Sequence, residues 1–580
     1  MSDRAWWKEM VVYQIYPRSF YDTNGDGIGD LKGVTLKLPY LKSLGIEALW
    51  LSPYFKSPNC DNGYDISDYR EIMEDFGTMD DWKEMIHEMH ANGIKLIMDL
   101  VVNHTSDEHP WFIESRQSKD DKRHDYYIWR DPKPADSTNS SLPDSKRPPN
   151  NWTSCFGGSA WQYDEKIGQF YLHLFAIKQP DLNWECEAMR HEIHDMMKFW
   201  LDLGVDGFRL DAIANISKTQ TFLDGDPNLG FVGNEHFVNG PRVHEFIHEL
   251  NTEVFSKYDI MTVGECFSTN IDEAMKYVDP KRKELNMIFQ FNLMDIDASS
   301  AGKWRVRDWK FTEFKDIIRR WQNIIEVENG WNSIFLSNHD FPRQVSRFGD
   351  DSTPEFRVLS AKMLATMNFT LKGTVYVYQG EEIGMTNVKF DSIDDYKDIE
   401  TINFFKSTSD PNERLMRMSK EEAMQAIHHV SRDNSRTPMQ WDNTENAGFI
   451  KDHKKVEPWI KVNPNYTEIN VEHDLNDKDS ILNYYKALIQ MRKDYVDVAV
   501  YGVFKDFFVE DENTYIYTRT YESKVMFIAL NLTKQEQKLT VPDHLNLGEY
   551  KLVISNYSNE NTDFSKKTTL RPFESIVLIH

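Results

Sequence analysis

The sequence predicts an α/β protein: a closed (β/α)8 TIM barrel with a B domain inserted after strand 3 and a C-terminal antiparallel β domain. Short β-branched or aromatic runs alternate with amphipathic stretches over most of the 580 residues. Two long polar segments interrupt this alternation. From about residue 497 the sequence consists of short runs of alternating apolar and polar residues, which predict β-strands. No glycine-rich phosphate loop follows the first strand, so the barrel is favoured over a doubly wound open sheet.

The predicted elements follow one another in a regular order. Thr78 is placed to cap the start of one helix, and Gly93 and Gly204 are placed to end two others. A helix over 479–495 is expected to close the barrel. The eight predicted strands are 11–18, 46–53, 94–102, 205–213, 260–266, 285–292, 331–338 and 374–380.

Four units are expected along the chain. They are a first part of the barrel over 1–103, the inserted B domain over 104–172, the rest of the barrel over 173–496 and the β domain over 497–580. A second long interruption runs from 383 to about 478. Loops that leave the C-terminal ends of barrel strands form the mouth of the active site, so both interruptions are expected at that face.

The charge and composition exclude several classes of partner. The 67 basic and 93 acidic residues give a net charge of −26, which opposes binding to nucleic acid or to an anionic membrane. No stretch approaches the roughly 18 apolar residues that a membrane span needs, and the charged N-terminus does not resemble a signal peptide. Four distant cysteines without a C-x-x-C pair suggest reduced thiols, so a cytoplasmic protein is expected.

Charged side chains stand where predicted strands end, which is where a barrel enzyme carries its chemistry. Asp99 ends the third strand, Arg209 and Asp211 the fourth, and Glu265 the fifth, while Asp340 follows the seventh. The 34 Phe, 16 Trp and 26 Tyr residues also suit sugar binding, although large barrels use aromatic residues as core filler.

Two carboxylates with an arginine beside one of them suit the cleavage of a glycosidic bond. Arg209 lies on the same strand face as Asp211 and can keep it ionised, which makes Asp211 the candidate nucleophile. Glu265 lies between apolar neighbours and is expected to stay protonated as the candidate acid/base.

Five ordered motifs resemble those of the α-amylase superfamily of glycoside hydrolases (family 13), in its oligo-1,6-glucosidase and α-glucosidase branch. The resemblance implies a retaining double displacement with Asp211 as nucleophile, Glu265 as acid/base and Asp340 as the carboxylate that stabilises the transition state. It also implies that His104 and His339 donate hydrogen bonds to the sugar and that Arg209 orients Asp211. The motifs are DLVVNH (99–104), QPDLN (179–183), GFRLDAI (207–213), VGEC (263–266) and SNHD (337–340).

The segments DNGYDISDY (61–69) and RDNSRTPMQW (432–441) are similar to the same branch. This likeness implies that Asp61 and Arg436 hold the 4-hydroxyl of a terminal glucose, that Tyr64 forms a stacking wall, and that the enzyme is exo-acting. From the residues alone, Asp61 could cap a turn and Arg436 could be a solvated charge. Phe156 and Arg343 are also expected to line the pocket.

The segment DTNGDGIGD (22–30) offers oxygen ligands at alternating positions. It is not an EF-hand, because its twelfth position is Gly33 rather than a bidentate glutamate. It resembles the calcium loop after the first barrel strand in this branch, which implies one structural Ca2+; a metal-free turn rich in Asx residues is the alternative. The implied ligands are Asp22, Asn24, Asp26, the carbonyl of Ile28, and Asp30.

Ala212, directly after the candidate nucleophile, bears on which bond is cut. In this branch valine there accompanies α-1,6 preference, whereas a smaller residue accompanies α-1,4 preference. We therefore expect an α-glucosidase acting on maltose and malto-oligosaccharides, with oligo-1,6-glucosidase as the alternative. Sucrose isomerases also resemble the chain, but their RLDR segment is not found after strand six.

Three further expectations concern activity. Transglucosylation is possible, because water and a second sugar compete for the same glycosyl-enzyme. A non-catalytic sugar-binding relative is the second class of function, but such a protein would be expected to lose a carboxylate or carry a membrane span. Cys266, beside Glu265, predicts sensitivity to thiol reagents.

Overall fold

Eight parallel strands form the predicted barrel in a computed structural model of the chain. The structure describes residues 4–133, 147–328, 330–409, 417–453, 456–558 and 563–580. Around the barrel the strands lie in the order β6-β5-β4-β3-β2-β1-β8-β7. They are β1 (Val11–Ile15), β2 (Ala48–Leu51), β3 (Lys95–Val101), β4 (Gly207–Asp211), β5 (Met261–Cys266), β6 (Met287–Gln290), β7 (Ser333–Ile334) and β8 (Thr374–Tyr378).

The barrel is nearly closed at the seam between β6 and β7. β7 is two residues long and pairs with β8 through Ser333 and Ile334. The Ser333 hydroxyl donates to the Ile288 carbonyl of β6 at 2.7 Å, so a side chain crosses the seam. The eight strands confirm the predicted barrel. Each strand is shorter than its predicted range, because the residues at the ends of that range belong to loops.

Helices surround the strands, with ends set by capping residues. Thr78 accepts from the Asp81 amide at 3.2 Å while the Asp81 carboxylate accepts from the Thr78 amide at 2.8 Å, the reciprocal capping box. Gly45, with φ of 97°, ends the helix Leu31–Leu44 in the left-handed conformation. The helices include α1 (Leu31–Leu44), α2 (Met79–Ala91), α3 (Glu187–Asp202), α4 (Val243–Glu253), α5 (Ile271–Val278), α6 (Phe311–Glu328), α7 (Pro354–Thr370), α8 (Ile399–Ser407), α9 (Lys420–Val430), α10 (Ile481–Asp494) and α11 (Val496–Tyr501). Further helices are Trp6–Glu9, Asn234–Phe237, Gln344–Phe348, Asp433–Arg436 and Val471–Asn476.

Both predicted interruptions contain structure of their own. After β3 there is a short helix, Pro110–Ser115, and an antiparallel sheet of Trp129–Arg130, Gln169–Leu172 and Trp161–Asp164. Residues 134–146 of the predicted B domain lie outside the described residues. After β8, α8 and α9 pack with a separate small core that includes Tyr396 and Phe404; 410–416 and 454–455 of this segment are likewise outside the description.

A hairpin after β6 was not predicted. Its strands are Ala298–Ser299 and Gly302–Val306, and the ring of Trp304 stacks on Phe404 of α8 with centroids 4.1 Å apart and planes 2° apart. The loop after β6 is therefore attached to the inserted segment after β8, on the same face of the barrel.

The C-terminal sheet has five antiparallel strands in the order β9-β10-β11-β13-β12. Arg519 of this sheet donates to the carbonyl of Thr370 at 2.7 Å, at the end of α7. In the described part of the chain no helix is both long and apolar enough to cross a membrane. The strands are β9 (Val503–Phe507), β10 (Thr514–Tyr521), β11 (Lys524–Asn531), β12 (Lys551–Ser555) and β13 (Ser575–Ile579).

Candidate active site

One guanidinium holds three carboxylates at the C-terminal end of the barrel. Nη1 of Arg209, on β4, lies 2.6 Å from Oδ1 of Asp211 and 3.0 Å from Oδ1 of Asp99. Its Nη2 lies 2.7 Å from Oε1 of Glu265 on β5. Arg209 is 1% exposed, so these contacts are desolvated and strong. The strand ends thus bring the candidate nucleophile and acid/base onto one residue.

The backbone after Asp211 is bent toward Glu265. Ala212 has φ of 42°, a left-handed conformation that is unusual for a residue with a Cβ, and it ends β4. Its amide donates to Oε2 of Glu265 at 2.9 Å. The carboxyl of Glu265 is therefore fixed at both oxygens, one by Arg209 and one by Ala212.

Burial dominates the titration of this pair. It raises the pKa of Asp211 to about 7 and the pKa of Glu265 to about 8, although Arg209 lowers both. Glu265 thus keeps a proton in preference to Asp211, in the direction predicted for an acid. Arg209 lowers the pKa of Asp211 as expected, but the desolvation of the carboxylate, which that expectation omitted, outweighs it.

Asp340 has the opposite setting. Burial would raise its pKa, but a hydrogen bond from Nε2 of His339 and the guanidiniums of Arg432 and Arg436 hold it well below the usual range. Arg436 Nη2 lies 3.0 Å and Arg432 Nη1 3.2 Å from Oδ1 of Asp340. Asp340 therefore stays ionised beside the other two carboxylates.

His339 is neutral, because burial lowers its pKa to about 3. Gln14 donates from Nε2 to Nδ1 of His339 at 2.8 Å, which leaves the proton on Nε2. That Nε2 lies 3.0 Å from Oδ2 of Asp340 and 2.5 Å from the Tyr64 hydroxyl. The ring of Tyr64 stacks on His339 with planes 6° apart and donates its hydroxyl to Asp99 at 3.0 Å.

His104 lies beside Tyr64, on the side of the inserted B domain. Burial lowers its pKa to about 4, so it too is neutral. Its Nε2 contacts the Tyr64 carbonyl and the amide of Gln179, both at 3.1 Å. The structure thus brings both predicted histidines into the same group as the carboxylates.

The pocket wall that contains Asp61 differs from the prediction at Arg436. The guanidinium that contacts Asp61 is that of Arg432, whose Nη2 lies 3.2 Å from Oδ1, and Arg436 donates instead to Asp340 and to the His339 carbonyl at 2.9 Å. Residues 432–436 form a helical turn, so arginines four apart lie on one side and share Asp340. The R-x-x-x-R spacing was the sequence signal for this.

Phe156 closes the same wall, since the Arg432 guanidinium lies 5.0 Å from the centre of its ring. Gln179 donates to Oδ2 of Asp61 at 3.2 Å. Burial raises the pKa of Asp61 to about 6, against the attraction of Arg432. The arrangement offers a carboxylate, a guanidinium and an amide at one end of the pocket.

Arg343 does not reach the carboxylates. It is 1% exposed and donates to the carbonyls of Gln379 at 2.5 Å, Ser435 at 3.1 Å and Asn434 at 3.3 Å. The expectation that it lines the pocket is corrected: its guanidinium joins loops behind the pocket, because those buried carbonyls need a donor.

Lys218 was not singled out from the sequence. Its ammonium is buried and lies 2.7 Å from Oδ2 of Asp181 and 2.9 Å from Oδ1 of Asn103. Asn103 precedes the inserted B domain and Asp181 follows it, so Lys218 joins the two ends of the insertion. A lone lysine carries no motif, so only the buried acid beside it in QPDLN gave a signal.

Three partly exposed phenylalanines follow consecutive strands at the mouth. Phe267 follows β5, Phe291 follows β6 and Phe341 follows Asp340. Their ring centroids are 6.4 Å apart for the first two and 5.4 Å apart for Phe291 and Phe341. Such a row of rings suits the apolar face of a sugar.

The predicted calcium loop is folded by its own acceptors. Asp22 accepts from the amides of Gly25 at 2.6 Å and Gly27 at 2.8 Å, and Asp30 accepts from the Gly33 amide at 2.7 Å. In the described part of the chain, no three Asp, Glu, His or Cys side chains are grouped for a metal. The hard oxygen donors fit a hard cation, while the hydrogen bonds also fit a metal-free Asx turn.

The loop has two exposed members besides these buried carboxylates. Asp26 accepts from the Ile28 amide at 2.8 Å, and Asn24 accepts from the Asp26 amide at 2.9 Å. Burial raises the pKa of Asp30. A bound cation would offset the cost of that buried charge.

All four cysteines are free. Cys266 is fully buried and its pKa is raised well above the usual value by burial, while Cys60, next to Asp61, is half-buried with a pKa of about 12. Neither forms a thiolate readily, which argues against the predicted sensitivity of Cys266 to thiol reagents.

The chain matches two family descriptions. The alpha amylase catalytic domain matches residues 14–502. The alpha-amylase SusG C-terminal domain matches residues 515–577. The first match contains every predicted site residue.

Relatives of the same length are similar throughout. The oligo-1,6-glucosidase of Parageobacillus thermoglucosidasius is 54% identical over 580 residues, 99% of each chain. The alpha-glucosidase of Pediococcus pentosaceus is 47% identical over 99% of this chain and 98% of its own. The crystal structure of Bacillus licheniformis trehalose-6-phosphate hydrolase superposes with a TM-score of 0.90, at 45% identity, over 99% of this chain and 100% of the other.

Proposed function

Because this chain belongs to the α-amylase family of glycoside hydrolases, we propose that it is a retaining, exo-acting α-glucosidase that releases glucose from short α-glucosides, α-1,4-linked ones first. The observation that carries the proposal is the single guanidinium of Arg209 between Asp211 and Glu265. Carboxylates on two nitrogens of one guanidinium fit the separation of about 5 Å in retaining enzymes better than the roughly 6.5–9.5 Å of inverting ones.

The proposed reaction has two displacements. Asp211 attacks the anomeric carbon, and the glycosidic bond breaks as Glu265 gives its proton to the leaving oxygen. Water then attacks the glucosyl ester of Asp211, Glu265 takes the proton of the water, and glucose leaves with its anomeric configuration retained. Asp340, ionised throughout, stabilises the positive charge that develops on the sugar ring.

The exo action rests on the wall formed by Asp61, Arg432 and Gln179. These side chains can hold the hydroxyls of a terminal glucose, the 4-hydroxyl among them, and their mutual contacts join Asp61 to Arg432 and Gln179 at that end of the pocket. The proposed role of Arg436 is a supporting one, since its guanidinium contacts Asp340 rather than Asp61. The substrate is therefore a small oligosaccharide bound by its non-reducing end.

The linkage preference rests on Ala212. A methyl beside the nucleophile leaves more space for a 4-linked acceptor ring than a valine would, with an effect of about 1–3 kcal/mol. The Pediococcus pentosaceus relative is named an alpha-glucosidase, a name that specifies no linkage. The name of the Parageobacillus thermoglucosidasius relative supports the second candidate, an oligo-1,6-glucosidase.

The test is glucose release from maltose and isomaltose by the wild type and by Ala212→Val. We expect maltose to be the better substrate, and the valine variant to lower the ratio of kcat/KM for maltose to that for isomaltose roughly 10-fold or more. Asp211→Asn serves as the control without a nucleophile. A wild type that prefers isomaltose establishes the second candidate, and an unchanged ratio in the variant refutes the role of Ala212. Silence on both sugars favours a non-catalytic binding protein.

Three smaller proposals accompany this one. The aromatic row of Phe267, Phe291 and Phe341 can hold an acceptor sugar, which supports transglucosylation at high sugar concentration. The loop over 22–30 binds one structural Ca2+ through Asp22, Asn24, Asp26, the Ile28 carbonyl and Asp30; the ion would neutralise the buried carboxylates. The free thiols support a cytoplasmic location.

A further inference from the structure

Asp398 is a fully buried carboxylate that none of the roles above uses. It precedes α8 in the inserted segment after β8 and meets the pocket wall through Arg432. Nε and Nη2 of Arg432 donate to Oδ1 of Asp398 at 2.9 and 2.6 Å. The same guanidinium lies 3.2 Å from Asp61 and 3.2 Å from Asp340.

The two oxygens of Asp398 have separate partners. Oδ2 accepts from the amide of Thr401 at 3.1 Å and from its hydroxyl at 2.6 Å, which caps α8. The Asp398 amide donates to Oδ2 of Asp433, the residue after Arg432, at 3.0 Å. The start of α8 thus fixes the carboxylate and leaves Oδ1 facing the guanidinium.

Resting on the proposed function, in which Asp61 and Arg432 hold the 4-hydroxyl of the terminal glucose, we propose that Asp398 is a positioning residue for that hydroxyl. An arginine side chain loses rotamer entropy when it is ordered. Asp398 orders it before the sugar arrives, with two charge-assisted hydrogen bonds. Arg432 then reaches Asp61 and Asp340 from one fixed orientation.

The distribution of charge around Arg432 agrees with this role. Burial would raise the pKa of Asp398, but Arg432 and Arg436 hold it well below the usual range. For Asp61, burial outweighs the same guanidinium and the pKa is raised to about 6. Arg432 is therefore held mainly by Asp398, at 2.6 and 2.9 Å. Each oxygen of Asp61 has one donor at 3.2 Å and keeps a lone pair with which to accept from a hydroxyl.

The test replaces the charge and keeps the cap, since Asn is as good an N-cap as Asp. For Asp398→Asn, kcat/KM is measured on 4-nitrophenyl α-glucoside and on its 4-deoxy analogue. We expect the first to fall on the order of 10- to 100-fold, as for loss of a charged hydrogen bond, and the second less than about 3-fold. Asp394→Asn, an exposed carboxylate of the same segment, is the matched control and should change neither.

If Asp398 acts by positioning Arg432, its substitution lowers kcat/KM mainly for the substrate that has a 4-hydroxyl. If Asp398 only supports the fold, kcat/KM falls equally for both substrates. Equal losses on both substrates, or none on either, overturn the proposal. If Asp398→Asn does not fold, Asp398→Glu keeps the charge but displaces it by a methylene; it must also lose rate selectively, and an equal loss again overturns the proposal. A wild type that does not distinguish the two substrates disproves the proposed grip on the 4-hydroxyl itself, and this is seen without any substitution.

Discussion

Arg209, Asp211 and Glu265 share one desolvated site, and the order in which the two acids lose protons has a kinetic consequence. Burial raises the pKa of Asp211 to about 7 and of Glu265 to about 8. The reactive form has Asp211 ionised and Glu265 protonated. Activity therefore rises with pH through the pKa of Asp211 and falls through that of Glu265.

We predict a bell-shaped profile of kcat/KM with its maximum near neutral pH. In Glu265→Gln, assayed on an aryl glucoside reactive enough for the variant to turn over, the alkaline limb seen in the wild type should disappear, while the acid limb from Asp211 stays. The measurement is the pH dependence of kcat/KM for both proteins. An alkaline limb that survives in the variant would assign that titration to another group.

At the residue scale, the sequence located the groups that end strands, because a strand end is visible in a local pattern. Asp211, Glu265 and Asp340 belong to this class. The contact of Asp61 with Arg432 joins residues 371 apart, and nothing local distinguishes Arg432 from Arg436. Asp398 lies in a segment without a strand pattern, so its partner could be found only from the fold.

At the element scale, the acidic residues of the loop between β1 and α1 have two explanations, a Ca2+ site and a metal-free turn, and melting experiments distinguish them. If it holds Ca2+, a chelator should lower the Tm of the protein by several degrees, and added Ca2+ should restore it. Asp26→Ala, at an exposed position, should lower the Tm in Ca2+ but not in chelator. Equal melting curves in all conditions would establish the metal-free turn.

The elements themselves were largely predictable. Periodicity identified the eight strands, and Thr78, Gly93 and Gly204 marked helix ends that the structure places at or next to them. The hairpin Gly302–Val306 was missed, because its stability depends on the stack of Trp304 on Phe404 rather than on its own pattern. β7 has two residues, whereas a strand over 331–338 was predicted. The other apolar residues of that range pack in the core without pairing with a neighbouring strand, so their pattern imitates a longer strand.

At the scale of the whole molecule, Arg519 and Arg492 join the C-terminal sheet, α10 and the barrel. Arg519 donates to the carbonyls of Thr370 at 2.7 Å and Gly502 at 2.8 Å, and Arg492 donates to the carbonyl of Phe369 at 3.0 Å. Both are buried among the C-terminal ends of α7 and α11, where a cation is favoured.

We predict that Arg519→Met destabilises the protein by on the order of 3 kcal/mol, because it leaves buried carbonyls without a donor. Thermal unfolding followed by calorimetry should show a lower Tm and a separate transition for the C-terminal sheet. Lys551→Met, at an exposed position on the same sheet, is the control and should melt like the wild type. A single unshifted transition in Arg519→Met would show that the interface does not depend on this residue.

The wall that pairs Asp61 with Arg432 also has a consequence for synthesis. A ribosome makes the chain from its N-terminus, and the strands up to β8 are complete at Tyr378. The pocket then stays open at one end until Arg432 has emerged, and Asp340 lacks both of the guanidiniums that keep it ionised until Arg436 has followed. Both the chemistry and the discrimination between sugars therefore depend on a segment that is made after every strand of the barrel.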